Sequence, residues 1–258
     1  MFPPAKINLG LNVLHKRSDG YHELDTCMIP IELTDVLEVL PSNKFQFIQT
    51  GLTVEGSSND NLVVRAYNLL KENYNLPPVY IHLRKNIPMG AGLGGGSADA
   101  TYTLLALNDL FKLKISNDDL KKYSTELGSD CPFFVEKSPQ IAKGRGEELY
   151  PIELNLKGYY LKLIFPGIHI STAEAYGNVI FSKHSLSVKN SIDTPIEEWK
   201  NNLKNDFESS AFKLHPELEK WKNDLYSEGA IYASMTGSGS TMYGIFKDKP
   251  EGCVVVEM

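Results

Sequence analysis

Lys85-Asn86-Ile87-Pro88-Met89-Gly90-Ala91-Gly92-Leu93-Gly94-Gly95-Gly96-Ser97-Ala98-Asp99-Ala100 is the stretch from which the rest of this chain is read. Five of the seven residues 90–96 are glycine. Upstream, Val79-Tyr80-Ile81-His82-Leu83-Arg84 alternates as a strand does, and Pro88 cannot continue its ladder. Downstream, Ala100, Leu104, Leu107 and Phe111 recur at helical spacing, which predicts a helix with an apolar face from Ala98 to Phe111. The order is strand, glycine loop, helix. Glycines permit positive φ and close approach of backbone to a ligand. The first N–H groups of a helix lack internal partners and carry the positive end of its dipole. So dense a glycine loop in that position predicts a phosphate site.

The kind of phosphate site is narrowed by context. Gly90-x-Gly92-x-x-Gly95 fits the dinucleotide fingerprint by spacing. That fingerprint requires an acidic residue ending a second strand about twenty residues on, and Asp109 lies within the helical pattern instead. No Gly-Lys-Ser/Thr follows, so a P-loop is excluded.

With 258 residues the chain is long enough for one large domain or two small ones. Its 42% hydrophobic and 22% charged composition is ordinary for a globular protein. A formal charge of −6 argues against a nucleic-acid partner, so an anionic substrate needs local cations. No apolar run is long enough for a membrane span, and Lys6 and Asn8 interrupt any signal-peptide pattern. Cys27, Cys131 and Cys253 are scattered, forming neither a disulfide framework nor a metal pattern. A cytoplasmic protein is therefore expected.

Along the chain, Ala5 to Leu14 alternates, with Ile7, Leu9, Leu11 and Val13 on one face and Lys6, Asn8, Gly10 and Asn12 on the other. That polar face either meets solvent or lines a cleft, and two asparagines beside a lysine favour the cleft. Ser18-Asp19-Gly20 marks a turn. Thr26–Glu32, Val36–Leu40 and Phe45–Ile48 read as strands. Asp60 is expected to cap a helix from Asn61 to Tyr74, and Ser116 another that Gly128 ends. Residues 159–165 read as a strand and 181–196 as a mobile insertion. Glu197–Leu203 and His215–Ser227 look helical, and strands at 231–235 and 241–246 flank Thr236-Gly237-Ser238-Gly239-Ser240.

Three separated motifs then resemble those of the GHMP kinases: Pro4-Ala5-Lys6-Ile7-Asn8-Leu9, residues 88–99, and Met235-Thr236-Gly237-Ser238-Gly239-Ser240. Asp19-Gly20-Tyr21-His22-Glu23-Leu24, Asp60-Asn61-Leu62 and Leu127-Gly128-Ser129-Asp130-Cys131-Pro132 resemble the branch of that family acting on 4-diphosphocytidyl-2-C-methylerythritol. The resemblance covers most of residues 3–246, and its motifs are most specific before Gly167. It implies transfer of the ATP γ-phosphoryl group to the substrate 2-hydroxyl, within the non-mevalonate route to isoprenoid precursors. It also implies an α+β fold of two domains, 1–155 ribosomal-protein-S5-domain-2-like and 156–258 ferredoxin-like. Asp130 would act as general base or orient the hydroxyl, with Lys6 near it. ATP would be bound by Asn61, Lys85, Pro88, Gly90, Gly92, Leu93, Gly94, Gly95, Gly96 and Ser97, and Asn8, Tyr21, His22, Thr172 and Tyr176 would hold the substrate. Mg²⁺ is expected from the charge of ATP, with no ligand assigned. The expected state is a monomer or weak homodimer. The elements expected after the last strand would be shortened in a chain ending at Met258.

Overall fold

A computed structural model describes residues 1–53, 60–179, 181, 186–252 and 254–257. The chain forms two compact units that interleave in sequence. The first comprises Met1–Ala5, Leu33–Met89 and Gly94–Lys137. The second comprises Lys6–Glu32, Gly90–Leu93 and Ser138–Met258.

In the second unit, β1 (Pro4–Lys16) and β2 (His22–Thr34) are long neighbouring strands. Along β1, residues 5–13 are buried on both faces. The polar face of Lys6, Asn8 and Asn12 is therefore not a solvated one. Such polar groups must find partners when desolvated, and that requirement shapes the site described below.

The first unit is built on three strands, β3 (Val36–Pro41), β4 (Gln46–Gly51) and β5 (Val79–Lys85). β5 lies in the middle, antiparallel to β3 and parallel to β4. Val79, Ile81 and Leu83 alternate inward from β5. Three helices join them: α1 (Leu62–Tyr74), α2 (Gly95–Leu110) and α3 (Asn117–Leu127). Their cores are Val63, Ala66, Tyr67 and Leu70 of α1, Ala98, Ala100, Leu104 and Leu107 of α2, and Leu120 and Leu127 of α3. Two boundaries depart from expectation. Asn61, not Asp60, caps α1, because its side chain accepts the Val63 N–H at 3.0 Å. And α2 begins at Gly95, three residues before its apolar periodicity, since glycines leave no periodic mark. Ser116 caps α3 as expected. A 3-10 turn, Cys131–Val135, follows α3.

The second unit continues with β6 (Gln140–Gly144) and β7 (Glu148–Pro151), which extend the sheet in the order β1-β2-β6-β7. β2 and β6 are antiparallel, Cys27 facing Ile141. Next come β8 (Tyr160–Ile164), α4 (Thr172–Gly177), α5 (Val188–Ile192), α6 (Trp199–Asn202), α7 (Phe207–Leu214) and α8 (Pro216–Ser227). β9 (Tyr232–Met235), β10 (Met242–Phe246) and β11 (Val255–Glu257) complete a second antiparallel sheet, ordered β11-β8-β10-β9. Phe207 and Ala211 of α7 and Leu218 and Leu225 of α8 pack with Ala233, Met235, Met242 and Phe246.

The α+β class thus stands. The helix α7 was not foreseen. Of the expected insertion at 181–196, residues 182–185 lie outside the described residues, as does Cys253. The remainder holds α5 and the start of a 3-10 turn at Ile196–Glu198. No helix among the described residues is long and apolar enough to cross a membrane.

Candidate active site

In the first unit the site begins where α2 begins. Gly94 is its N-cap with φ 69°, and no side chain caps the first turn. The early N–H groups are therefore left for another acceptor, the condition for anion binding at a helix start. A Cβ at Gly96, in the first turn, would meet the Met89 and Leu62 side chains only at ordinary contact distance, 3.6 Å or more. Ser97 sits in this first turn. Pro88, half-buried, precedes the loop. Asn61 is committed by its capping bond and by donating from Nδ2 to Gln49 Oε1 at 3.1 Å. Lys85 is buried, its ammonium paired with Asp35 and, at 2.7 Å, with Asp99.

Asp130 is carried to the same helix. Thr101 Oγ1 of α2 donates to the Cys131 carbonyl at 2.8 Å, and the Cys131 thiol is buried. Burial pushes that thiol up to about 12, so it stays protonated and inert. Close packing at Gly128 brings the turn against Ser97, whose Oγ lies 4.0 Å from where a Cβ would stand. The carboxylate-bearing turn and the open helix start thus share one helix.

In the second unit, Lys6, Asn8 and Gly92 come together. Lys6 Nζ donates to Asn8 Oδ1 at 2.5 Å and to the Gly92 carbonyl at 3.0 Å. Asn8 Nδ2 donates to Thr26 Oγ1 at 3.0 Å, and Thr26 donates to the Gly10 carbonyl at 2.5 Å. Thr236 Oγ1 accepts the Asn8 N–H at 3.0 Å, and Tyr243 donates to the Asn8 carbonyl at 2.6 Å. At Gly92, φ is 76° and a Cβ would lie 2.1 Å from the Thr236 carbonyl oxygen, so only glycine fits. Leu93 accepts the Lys6 N–H at 2.9 Å through its carbonyl. Gly90, at φ 62°, approaches His169, whose ring a Cβ would meet at 2.8 Å.

A second cluster in this unit is aromatic. The His22 and Tyr176 rings stack with centroids 4.8 Å apart and planes 26° apart, and Phe181 stacks on His22 at 5.8 Å. Partial desolvation, and then Lys16, hold the His22 pKa below its usual value, favouring the neutral ring. A neutral imidazole offers one donor and one acceptor. Thr172 opens α4, whose fifth residue is Tyr176. Tyr21 is exposed, and its ring faces the Arg145 guanidinium at 4.8 Å instead of joining the stack.

Several contributors escaped sequence reasoning. Thr26 and Tyr243 read as ordinary strand residues. Asn205 lies in a polar stretch, yet it is buried, and its Nδ2 donates to the Met235 and Gly237 carbonyls at 2.8 Å each, bracing the Thr236 turn. Asp35 and Asp99 were unremarkable until Lys85 proved to be buried with them. Among the described residues, no group of three His, Cys, Asp or Glu side chains is arranged to hold a metal ion.

The GHMP kinases N terminal domain matches residues 61–137, and the GHMP kinases C terminal region matches 188–253. A 4-diphosphocytidyl-2-C-methyl-D-erythritol kinase of Azobacteroides pseudotrichonymphae is 52% identical over 95% of this chain and 92% of its own length. The kinase of the same name from Parabacteroides distasonis is 48% identical, covering 96% of this chain and 92% of that protein. A crystal structure of 4-(cytidine 5'-diphospho)-2C-methyl-D-erythritol kinase matches with a TM-score of 0.82 and 35% identity, covering 95% and 88% of the two chains. A homoserine kinase structure from Cytophaga hutchinsonii shares the fold at a TM-score of 0.69 and 16% identity.

Proposed function

This chain belongs to the 4-diphosphocytidyl-2-C-methyl-D-erythritol kinases, a branch of the GHMP kinases, and from that we propose how its residues carry out the reaction. It is a small-molecule kinase that uses ATP. The reaction is phosphorylation of the 2-hydroxyl of 4-diphosphocytidyl-2-C-methyl-D-erythritol in the non-mevalonate isoprenoid pathway. The hydroxyl oxygen forms a bond to the ATP γ-phosphorus while the bond to the bridging oxygen breaks, releasing ADP. Asp130 orients the hydroxyl and receives its proton. Lys6, held by Asn8 and Gly92, supplies positive charge to the nucleophile or the moving phosphoryl group.

The observation that carries this reading is the uncapped Gly94 start of α2, with the Asp130 turn bonded to the same helix through Thr101. Gly90 to Ser97 receive the phosphates, and Asn61 and Pro88 border the nucleotide. Lys85 contributes from beneath, since its ammonium is buried. His22 meets the cytosine edge as a neutral ring, Tyr176 and Tyr21 supply aromatic faces, and Asn8 and Thr172 complete the substrate side. Mg²⁺ belongs to this reading because it neutralises charge on the triphosphate when bound. Bound Mg²⁺ would take oxygen ligands from the triphosphate and water, and no side chain is assigned to it. The remaining features of the proposal are a cytoplasmic location, no nucleic-acid or membrane partner, and a monomer or weak homodimer. A division near residue 155 would separate an ATP-side from a substrate-side domain, and the two family matches fall on either side of it.

ADP release with the cytidyl substrate, homoserine and mevalonate in parallel tests the assignment. Turnover with the first alone is expected, falling by at least about a hundredfold in Asp130→Asn with ATP binding kept. Near wild-type turnover in that variant would remove Asp130 from its role. Turnover with homoserine or mevalonate instead would move the chain to another GHMP reaction.

A further inference from the structure

Three charged side chains of the first unit are buried together, and two of them, Asp35 and Asp99, have no place in the reaction just described. Lys85 at the end of β5, Asp35 ahead of β3 and Asp99 in α2 are each 2% exposed or less. Lys85 bonds both carboxylates, Asp99 at 2.7 Å. Asp35 Oδ1 also accepts the Asn86 and Ile87 N–H groups at 2.5 and 2.9 Å. These are the last backbone donors before Pro88. On the far side of the loop, a Cβ at Gly95 would lie 3.3 Å from Lys85 Nζ and 2.9 Å from Ile87 Cγ2. The same group of charges therefore holds the residues leading into the glycine loop and the first turns of the helix leading out of it.

We infer that Asp35, Lys85 and Asp99 are positioning residues for ATP, a buried ionic strut that sets the spacing of the two ends of the phosphate loop. Breaking one partner of such a buried group leaves an uncompensated charge, so the geometry is held strongly. The strut has two carboxylates for one ammonium. Burial first, then Asp35, raises the Asp99 carboxyl to about 7 against the opposing pull of Lys85. Asp99 Oδ1 is buried and makes no hydrogen bond among the described residues, which suits an oxygen that holds a proton. Lys85 and Asp35 are the charged groups facing it. Neither α1, α3 nor the 131–135 turn contributes an ion-pair partner to it among the described residues. With Asp99 protonated the strut is neutral. With Asp99 ionised it places one negative charge beneath a site for phosphates.

This inference rests on the ATP site proposed above. Its test measures nucleotide affinity by calorimetry, separately from turnover, in Asp99→Ala, Asp99→Asn and wild type at several pH values. Asp99→Ala should weaken ATP about tenfold, with kcat and the KM of the alcohol substrate little changed, and Asp99→Asn should restore binding. As pH rises through about 7, wild type should lose ATP affinity relative to Asp99→Asn. The titration of ATP itself is common to both proteins and cancels in that ratio. A folded Asp99→Ala protein that binds ATP as wild type does, or a ratio flat with pH, would overturn the strut. If Asp99→Ala does not fold, the Asp99→Asn ratio decides alone. Absent turnover with intact ATP binding would count against the proposed substrate and leave the strut standing.

Discussion

Asn8 determines what Lys6 is able to do. Its carboxamide oxygen takes the ammonium, its nitrogen is anchored on Thr26, and its backbone is held by Thr236 and Tyr243. A long, flexible cation is thereby held by two oxygens, and in the role proposed for it this lowers the ordering cost of reaction. His22 acts at the same scale. With its ring kept neutral by desolvation, substrate binding should persist somewhat below pH 6.5 and fail on further acidification. His22→Ala should raise the KM for the cytidyl substrate about tenfold or more while leaving the ATP KM unchanged, read from steady-state kinetics. Equal losses for both substrates would contradict a base-recognition role. The types of these residues were legible in the sequence, but their pairing was not. A lysine at a strand end is normally solvated, and nothing local announces that Lys85 meets carboxylates 50 residues before and 14 residues after it.

At the scale of elements, the helix starts of the first unit differ. α2 begins on a glycine and leaves its amides open, whereas α1 and α3 begin on Asn61 and Ser116, whose side chains close them. The uncapped start is the one proposed for the phosphates, and the two capped starts contribute to stability. Asn61→Ala should therefore cost about 1 kcal/mol in urea unfolding, the usual price of a lost N-cap. An unchanged midpoint would show that Asn61 is held only by Gln49. The strand, glycine loop and helix were readable because periodicity and glycine density are local signals. The boundary errors were equally local. Asp60 and Asn61 are both good caps, and only the backbone decides between them. The polar face of β1 could be read as a cleft or as solvent, because alternation is the same in both cases, and burial on both faces decided it.

For the whole molecule, the buried strut links stability to pH. The Asp99 pKa is raised from 3.8 to about 7 in the folded chain, so between those values the native state holds a proton that the unfolded state has released. Stability from this group is full below about pH 4 and is lost as pH rises through about 7. Urea midpoints of wild type should thus fall between pH 5.5 and 8.5 relative to those of Asp99→Asn. Parallel midpoints in the two proteins would refute the linkage. Composition and periodicity support only a mixed α/β protein, and the α+β class follows from the resemblance to the family. The compact units exchange segments after Ala5, Glu32, Met89, Leu93 and Lys137, where packing partners are distant in sequence.

That exchange of segments has a consequence during synthesis. The first unit is complete in sequence once Lys137 has been made, apart from the pieces lent to the other unit. Residues 6–32 leave the ribosome long before β6, the next strand of their sheet, which begins only at Gln140. At roughly 5–20 residues per second, β2 waits some seconds with one edge unpaired. Asn8 thus belongs to a segment made long before Thr236, whose hydroxyl accepts its N–H.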